Sequence, residues 1–288
     1  MAANTQKQPL KSDRRVLIRG SGDIGSAVAC KLFRAGYAVV VHDAPQPTTT
    51  RRRMAFTDAI FEGCAHLEGV EARRVDDLER LLPLLAAHQI IPVLVIELAI
   101  LLEALWPDVL VDARMRKHHQ PEVQRGLAQL TIGLGPNFVA GVTTDLVVET
   151  SWGESLGQVL ERGATQPLQG EPRPLGGHSR DRYVYAPVAG IFRTAYEVGD
   201  LVEQGQEVAC LGSTLLSAPL TGILRGLTKN GVPVSVGTKV IEVDPRGDAA
   251  MITGIGERPG QIAAGVLQAV ETWEKSGKHS LKGDGKIG

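Results

Sequence analysis

The sequence has little of what marks several common classes of protein. It contains three cysteines in 288 residues and no Cys-x-x-Cys pair, so neither a disulfide framework nor a cysteine-rich zinc site is expected. Lys and Arg total 31 against 32 Asp and Glu, a balance that does not indicate a nucleic-acid partner or an acidic membrane surface. The composition is 43% hydrophobic and 22% charged, which favours a folded chain, and its length suits two modest domains or one domain with an appended module.

No segment predicts a secretory signal or a membrane span. The first 15 residues lack the apolar core of a signal peptide. The most apolar stretch, residues 90–106, contains Pro92, Glu97 and Glu103, which favours a buried strand and a core helix over a membrane helix. We therefore expect a cytoplasmic protein.

Strands and helices alternate through the first half of the chain. Apolar runs at 15–20 and 38–42 flank a segment with helical spacing of apolar residues, the pattern of a βαβ unit. Helices are predicted at 54–61, 77–87 and 98–105, and strands at 91–95, 109–112, 130–134, 138 and 147–148. This alternation predicts a Rossmann-like, doubly wound, mostly parallel sheet over residues 14–165.

The second half contains an internal repeat. The segment that starts at Ala186 recurs at Ala218, with nine identities in 23 positions at a constant offset of 32. Because neither copy could bury its apolar face alone, we expect two interlocking halves in a compact all-β module, residues 183–245. The other predicted units are a flexible tail at 1–13, a Pro- and Gly-rich linker at 166–182, a C-terminal helix region at 246–276 and a flexible tail at 277–288.

Residues 20–25 form a complete G-x-G-x-x-G motif between the first strand and the first helix. In this setting Gly20 permits a tight turn, Gly22 lets a phosphate approach the backbone, and Gly25 allows close packing of helix and strand. The free amides at the helix start, next to Ser21, attract an anion. The motif indicates a nucleotide site, and the alternative is a purely structural glycine turn.

Two carboxylates bear on this interpretation in opposite ways. Asp43 closes the second predicted strand, 18 residues after Gly25, where a carboxylate would bind ribose hydroxyls. Asp23 instead places a negative charge where a pyrophosphate would sit, unless it acts only as the helix cap. Arg19 could offset this charge, and the arginines at 51–53 could reach a phosphate or form a solvated face.

Residues after two later strands would face the same crevice, because ligands of such sheets bind beyond the carboxyl ends of the strands. Asp112 and Arg114 end the strand at 109–112, and Gly133 and Gly135 belong to a second glycine turn. The alternatives are a salt-bridged loop for the first pair and an ordinary turn for the second.

The sequence contains no recognisable catalytic motif. It has no G-x-S-x-G, no G-x-x-x-x-G-K-[ST] and no H-E-x-x-H. His118 and His119 are adjacent and make a poor metal pair, so no metal site is expected. Whether the protein catalyses a reaction is left open.

The repeat resembles the barrel-sandwich hybrid of biotinyl and lipoyl carrier domains. In those domains a lysine on the hairpin between the halves carries the prosthetic group. Here the connecting residues 211–217 contain no lysine, and Lys229 lies in a later glycine turn. The resemblance implies a barrel-sandwich module without attached biotin or lipoate.

The whole chain resembles a bacterial family, the selenium-dependent molybdenum hydroxylase system proteins of the YqeB type, related to xanthine dehydrogenase accessory factors. The segments that carry this resemblance are VLIRGSGDIGSAVACKLFRAG (16–36), VLVDARM (109–115), IGLGPNFVAG (132–141), APVAGIF, GDLVEQGQ, APLTGILRGL and DPRG (244–247). It implies a role in maturing or loading a molybdenum hydroxylase, with ligand-binding residues within the two glycine turns and the 109–115 segment. The apolar PVLVIEL at 92–98 departs from the polar ending expected there.

The leading hypothesis is a cytoplasmic accessory factor that binds a nucleotide-containing ligand, with molybdopterin dinucleotide as candidate, and acts on a client molybdenum hydroxylase. The glycine loop and Asp43 also fit an NAD(P)-dependent oxidoreductase, although no Tyr-x-x-x-Lys pair or aptly placed histidine supplies a proton. A scaffold without a small ligand is the third hypothesis. The oligomeric state is left open.

Overall fold

A computed structural model describes residues 11–116, 119–168 and 172–277, except for the side chains of Lys11 and Ser12. The first part of the chain forms an α/β domain. Its helices and strands, in order, are β1 (Lys11–Arg19), α1 (Asp23–Arg34), β2 (Tyr37–His42), α2 (Asp58–Glu62), β3 (Cys64–Leu67), β4 (Val70–Arg74), α3 (Leu81–Ala87), β5 (Ile91–Leu94), α4 (Leu98–Leu105), β6 (Val109–Asp112), β7 (Leu130–Leu134), β8 (Val139–Ala140), β9 (Leu146–Val148), β10 (Val159–Leu160) and β11 (Gly163–Ala164).

One large sheet organises this domain. Its strand order is β10-β9-β7-β6-β1-β2-β5-β4-β3; the strands from β9 to β4 are parallel, and the two edge strands are antiparallel. β1 lies between β2 and β6, so the chain builds outward from β1 in both directions. The predicted mixed α/β architecture with a mostly parallel sheet is confirmed. Ligands of such sheets bind at the point where the strand order reverses, which here is beside β1.

The sheet is buried on both faces, which explains its continuous apolar strands. Residues 16–18 of β1 and 39–41 of β2 are at most 1% exposed. α1 and a C-terminal helix, α5 (Glu257–Lys275), pack on one face, and α3 and α4 pack on the other. α5 lies directly against α1. It also approaches the backbone at Gly157 closely, since a Cβ on Gly265 would stand 2.0 Å from the carbonyl oxygen of Gly157.

Helix starts and short strands differ from the sequence predictions. The expected helix at 54–61 is a 3₁₀ turn, Arg52–Met54, followed by α2. The expected helix at 77–87 begins with a second 3₁₀ turn, Leu78–Arg80, because the Asp77 carboxylate accepts the amide of Glu79. Phe138 precedes β8 instead of lying in a strand.

The internal repeat folds into two four-stranded antiparallel sheets. The first has the order β16-β15-β13-β18 and the second has the order β12-β19-β17-β14. Their strands are β12 (Tyr183–Tyr185), β13 (Gly190–Arg193), β14 (Leu201–Val202), β15 (Glu207–Leu211), β16 (Thr214–Ser217), β17 (Gly222–Leu227), β18 (Pro233–Val234) and β19 (Lys239–Asp244).

The two halves of this β module exchange strands. Each strand of the first half has its counterpart 32 residues later, β12 with β16, β13 with β17, β14 with β18 and β15 with β19. In the sheet order, β14 pairs with β17 and β18 pairs with β13, and each sheet contains two strands from each half. The interlocking predicted from the repeat therefore exists.

The segment before α2 joins the module to the α/β domain. The amide of Leu227 donates to the carbonyl of Thr50 at 2.8 Å, and Nε of Arg52 donates to the carbonyl of Leu227 at 3.0 Å. Arg52 is buried and also binds the carboxylates of Asp58 and Glu197. In the described part of the chain, no helix is long and apolar enough to cross a membrane.

Candidate functional site

The outer two glycines of the first loop are required by the packing of the chain itself. Gly20 has φ +112°, and a Cβ there would lie 3.0 Å from backbone atoms of Ala113 and Arg114. A Cβ on Gly25 would lie 2.0 Å from the carbonyl oxygen of Gly20. These two positions exclude side chains whether or not a ligand binds.

Gly22 differs from Gly20 and Gly25, because packing does not exclude a side chain there. Its φ of −68° and ψ of −179° suit any residue, and the nearest atom to a Cβ would be Oγ1 of Thr49, at 3.6 Å. Gly22 is the N-cap residue of α1, and no side chain caps this helix. Within the described residues, the amides of Gly22 and Asp23 have no hydrogen-bond acceptor. The loop thus presents two free donors beside an open position, the arrangement that an anion needs.

Asp23 is the first residue of α1 and not its N-cap. Its Oδ1 accepts only the amide of Ile24, at 3.0 Å, and its Oδ2 accepts Nη1 of Arg51, at 3.0 Å. Burial raises the pKa of Asp23, but the charges of Arg51, Lys239 and Arg258 outweigh burial and hold this pKa below its usual value. Asp23 is therefore a carboxylate whose charge is offset by Arg51, and Arg19, the partner considered from sequence, bonds elsewhere.

Asp43 holds the glycine loop in place. Its Oδ2 accepts both the amide and the hydroxyl of Ser21 at 2.7 Å, and its Oδ1 accepts the amide of Ala44. Ser21 is fully buried, so these bonds fix the turn between β1 and α1. The structure thus gives Asp43 a role within the loop, in addition to the ribose contact expected from the sequence.

We expect Asp43→Ala to destabilise the protein by about 1–3 kcal/mol, because two buried donors of Ser21 would lose their acceptor. Urea denaturation measures this change. Ser21→Ala is the matched comparison, because it removes the hydroxyl donor and keeps the carboxylate for the amide. It should therefore cost less than Asp43→Ala, and equal losses would contradict the assigned role of Asp43.

Asp112 and Arg114 bond to each other at the carboxyl end of β6. Nε of Arg114 donates to Oδ1 of Asp112 at 3.0 Å, and Arg114 also binds Glu122. Side-chain Nη1 of the buried Arg19 donates to Glu122 at 3.0 Å and to Gln124 at 2.9 Å. The two predicted residues do meet at the end of β6, but within a salt-bridged network in which Asp112 is buried.

The pKa values in this network are shifted by burial and by the neighbouring charges. Burial raises the pKa of Asp112, but Arg114 and Arg19 lower it by a larger amount, so the net shift is downward. The pKa of Arg19 is lowered, first by burial and then by the charge of Arg114. Nε of Arg19 is buried without a hydrogen-bond partner among the described residues.

The second glycine turn has internal packing reasons for its glycines. A Cβ on Gly133 would lie 2.3 Å from the ring of Phe138, and Gly135 has φ +106° with the Met115 sulfur 3.2 Å from its Cβ position. The hydroxyl of Thr165 donates to the carbonyl of Gly135 at 2.7 Å. Gly133 and Gly135 thus make room for the Phe138 ring and the Met115 side chain, which pack in hydrophobic clusters.

A cavity of about 240 Å³ opens at the carboxyl ends of β1, β2, β5 and β6. It is smaller than the roughly 300–1,000 Å³ of pockets that enclose a whole ligand. Burial lowers the pKa of His42, whose Nε2 lies 2.8 Å from the carbonyl of Ile96. The apolar segment 92–98 contributes Val95 and Ile96 to the lining of this cavity. The lining residues are Arg19, His42, Asp43, Ala44, Pro45, Val95, Ile96 and Arg114.

Other candidates lie apart from this crevice. A wider cleft of about 660 Å³ includes Arg53, Cys64 and His66 but none of the predicted site residues. In the described ranges, no three His, Cys, Asp or Glu side chains are grouped as metal ligands. His118 lies outside the described residues, and the carbonyl of His119 accepts Nδ2 of Asn137.

Sequence reasoning missed the charges that the β module brings to the glycine loop. Arg51, considered only as part of an arginine run, forms two bonds of 3.0 Å to Glu242 of β19 while it holds Asp23. Lys239 donates to Glu242 at 2.8 Å. A signal was available in the repeat, since Lys239 and Glu242 replace the Glu207 and Cys210 of the first half.

The fold and the site define an α/β protein with a glycine loop at the reversal point of a mostly parallel sheet and an appended two-sheet β module. No family model matches the chain. The chain is similar to the uncharacterized protein YqeB of Escherichia coli strain K12, with 39% identity over 255 residues, 88% of this chain and 47% of that protein. It therefore spans about half the length of this curated relative, whose name carries no function.

Solved structures give only low similarity. The apo ectoine utilization protein EutE (DoeB) from Ruegeria pomeroyi has 12% identity and a TM-score of 0.23, over 80% of this chain and 86% of that chain. A succinylglutamatedesuccinylase/aspartoacylase from Rhodobacter sphaeroides has 15% identity and a TM-score of 0.23, over 80% of this chain and 85% of that chain. These scores carry no argument about the fold or function of this chain.

Proposed function

We propose that the protein binds a nucleotide-containing ligand at the glycine loop and serves as an accessory factor of a molybdenum hydroxylase system. The observation that carries the binding proposal is Gly22. Packing explains the other two glycines of the motif, but a Cβ at Gly22 would meet only Oγ1 of Thr49, at 3.6 Å. A phosphate that approaches the free amides of Gly22 and Asp23 is a physical reason for a glycine there.

The surrounding groups fit the two ends of such a ligand. Arg51 is 22% exposed and next to Asp23, so it offsets the Asp23 carboxylate where the phosphates would bind. The cavity lined by Asp43 and His42 lies at the ends of the neighbouring strands, where a ribose or base would extend. A doubly wound sheet favours this arrangement, in which the phosphates lie at the helix start and the nucleoside lies over the adjacent strand ends.

The identity of the ligand and the process rest on the family resemblance. Molybdopterin dinucleotide is the first candidate because it contains a pyrophosphate and belongs to the system that the resemblance implies. NAD(P) is the second, since the glycine loop and Asp43 suit it equally. The proposed partner is a client molybdenum hydroxylase, and the 39% identity to YqeB supports a shared role for the matched region.

Gly22→Asp separates binding from folding. Aspartate is a favoured N-cap residue, and the backbone angles of Gly22 accept it, so we expect the unfolding free energy to change by less than about 0.5 kcal/mol. The new carboxylate would repel a phosphate, and like charges in contact cost several kcal/mol. Binding of molybdopterin dinucleotide, NAD(P), ATP or ADP, measured by isothermal titration calorimetry, should fall at least about 100-fold.

The titrations with wild-type protein decide the proposal. Saturable binding of at least one of these nucleotides, lost in Gly22→Asp, supports it, and the ligand with the highest affinity names the class. If the wild-type protein binds none of them, the nucleotide proposal is wrong.

A scaffold without a small ligand is favoured by one observation, the Asp23–Arg51 ion pair. This pair already places a carboxylate and a guanidinium of the protein itself at the start of α1. On that hypothesis the β module is the working surface. Affinity capture of a molybdenum hydroxylase with the full chain, compared between wild-type and Gly22→Asp protein, distinguishes the two. A scaffold retains its client in both, while a ligand-dependent factor loses it in the variant.

A further inference from the structure

Glu122 binds three arginines although its side chain is 46% exposed. Its Oε1 accepts Nη1 of Arg19 at 3.0 Å and Nη2 of Arg114 at 2.5 Å, and its Oε2 accepts Nη2 of Arg116. The side chains of Arg19 and Arg114 are only 7% and 20% exposed. An exposed carboxylate thus satisfies guanidinium groups that lie deeper in the protein.

Two of these arginines also line the cavity at the strand ends. Arg19 ends β1 and Arg114 follows β6, and both belong to the lining of the cavity of about 240 Å³. Of the described residues in this network, Glu122 and Arg116 lie outside that lining. Arg19 and Arg114 are therefore open to two kinds of partner, Glu122 from the segment 119–129 and a ligand from the cavity.

The buried Arg19 has more donors than the chain satisfies. Its Nη1 donates to Glu122 and to Gln124, but its Nε is buried and has no hydrogen-bond partner among the described residues. A buried N–H group without an acceptor costs free energy, so an ion pair that serves only the fold does not account for Arg19. An anion bound beside Arg19 would supply a further acceptor.

The buried carboxylate of Asp112 holds Arg114 in place. Its Oδ1 accepts the backbone amide of Arg114 at 3.1 Å and Nε of the same residue at 3.0 Å. Its Oδ2 accepts Nη2 of Arg114 at 2.5 Å and Nε2 of Gln124 at 2.6 Å. Because these bonds do not involve Glu122, Arg114 keeps its position when Glu122 leaves. Such preorganisation lowers the cost of binding a ligand.

The remaining lining of the cavity is largely apolar. Its polar members already have partners, since Asp43 accepts from Ser21 and Ala44 and Nε2 of His42 lies 2.8 Å from the carbonyl of Ile96. A cavity of this size is smaller than the roughly 300 Å³ needed to enclose a larger ligand. Guanidinium donors beside apolar surface suit a small molecule with one anionic group and a short apolar body. The apolar wall consists of Ala44, Pro45, Val95 and Ile96.

The charges favour a carboxylate as the anionic group. Among the described residues, three arginines and three carboxylates surround this end of the sheet: Arg19, Arg114 and Arg116 with Asp43, Asp112 and Glu122. A ligand carboxylate that replaces Glu122 keeps this balance, whereas a phosphate dianion would exceed it by one negative charge. The planar guanidinium also matches a carboxylate in geometry.

We propose that Arg19 and Arg114 bind the carboxylate of a small carboxylic acid, and that Glu122 takes the place of this carboxylate when no such ligand is bound. The apolar body of the ligand lies against the apolar wall. This proposal goes beyond the nucleotide site, because its cations lie at the ends of β1 and β6, whereas the proposed phosphate site lies at the start of α1. The two sites meet at Asp43, which lines the cavity.

Ligand-observed NMR titration of the full chain at constant ionic strength, without nucleotide, tests the class of ligand. We expect butyrate to bind at least about 10-fold more tightly than butyramide, which has nearly the same shape but no charge. Acetate should bind about 10-fold more weakly than butyrate, because it lacks two methylene groups for the apolar wall. Inorganic phosphate should also bind more weakly than butyrate.

Substitutions test the assigned residues. Glu122→Gln should bind butyrate at least about 5-fold more tightly than wild-type protein, because the internal competitor is removed. Arg114→Gln should weaken butyrate binding about 10- to 100-fold. Arg19→Lys keeps the charge but loses the planar fork, and we expect a loss of about 10-fold. A network that serves only the fold would give no gain in Glu122→Gln.

Arg125→Gln is the matched control. Arg125 is an exposed arginine in the same segment as Glu122, and it pairs with Asp145 outside the network. Its substitution should leave the affinity for butyrate unchanged. Thermal melting shows whether each variant is folded. The Glu122→Gln protein keeps the test valid if an arginine variant does not fold, because a gain in affinity cannot arise from unfolding.

The outcomes separate this proposal from the nucleotide site. If butyrate binds neither wild-type protein nor Glu122→Gln more tightly than butyramide does, the carboxylate site is wrong, whatever the nucleotide titrations show. Equal affinity of butyrate for wild-type and Glu122→Gln protein would contradict the role of Glu122. Phosphate or acetate bound as tightly as butyrate would overturn the class of ligand. Butyrate binding by a protein that binds no nucleotide would support this proposal and leave only the nucleotide site refuted.

Discussion

Gly25→Ala should destabilise the protein by about 3 kcal/mol or more, because overpacking against backbone has no flexible neighbour to move. A Cβ at Gly25 would stand 2.0 Å from the carbonyl oxygen of Gly20 and 3.3 Å from Cβ of Ala113. To relieve this contact, α1 would have to move away from the ends of β1 and β6. Since α1 also packs on α5, the displacement would reach both helices on that face of the sheet. Urea denaturation followed by circular dichroism gives the change in unfolding free energy.

Gly22→Ser is the control for this prediction. It adds a Cβ three residues away in the same motif, where the nearest atom is 3.6 Å distant, and serine is a good N-cap residue. We expect its stability to stay within about 0.5 kcal/mol of the wild-type value. Equal losses in the two variants would show that the glycine loop adapts as a whole, and the packing explanation for Gly25 would then be wrong.

This contrast explains why the motif alone cannot establish a ligand. A G-x-G-x-x-G pattern has the same letters whether its glycines serve a phosphate or the packing of helix on strand. The structure assigns Gly20 and Gly25 to packing and leaves Gly22 without such a reason. Gly22 is thus the one position of the motif that indicates a ligand, and substitutions there are the informative ones.

The elements with a regular local pattern could be predicted from the sequence. α4 and β6 have the predicted bounds, since a leucine-rich helix and a short apolar run that ends in an aspartate are determined by their own sequence pattern. The exchange of strands in the β module followed from a repeat with a constant offset. Short strands such as β8 and β11 could not be predicted, because two residues carry no periodicity and depend on their partners.

The candidate site could be predicted only in part, for a related reason. The loop at 20–25 and the pair Asp112 and Arg114 are local in sequence and do lie at the strand ends. The contacts around Asp23 are not local, since its partner Arg51 is 28 residues away and Glu242, which also binds Arg51, is a further 191 away. Such contacts depend on how the β module docks, which no local pattern specifies. The departures of the second repeat from the first were the available indication.

Glu242→Gln should be the most damaging substitution in the β module, with an expected loss of about 3–5 kcal/mol, because the buried Arg182 and the partly exposed Arg51 and Lys239 would lose the carboxylate that they share. Arg51, Arg182 and Lys239 would then face one another around a neutral amide. Denaturation in urea measures the loss. Glu207→Gln, an exposed carboxylate of β15, is the control and should change stability by no more than about 0.5 kcal/mol.

The pH dependence of stability gives an independent measure of the same carboxylate. Burial raises the pKa of Glu242, but Arg51 and Lys239 outweigh burial and hold this pKa well below its usual value. A carboxyl with a depressed folded pKa stabilises the protein above its unfolded pKa, and this contribution is lost as pH falls towards the folded pKa. Wild-type stability should therefore decline below about pH 4.5, and Glu242→Gln should decline less steeply, because the titrating group is absent. If the stability of the two proteins declined equally at acid pH, Glu242 would not be the carboxylate that stabilises Arg51, Arg182 and Lys239.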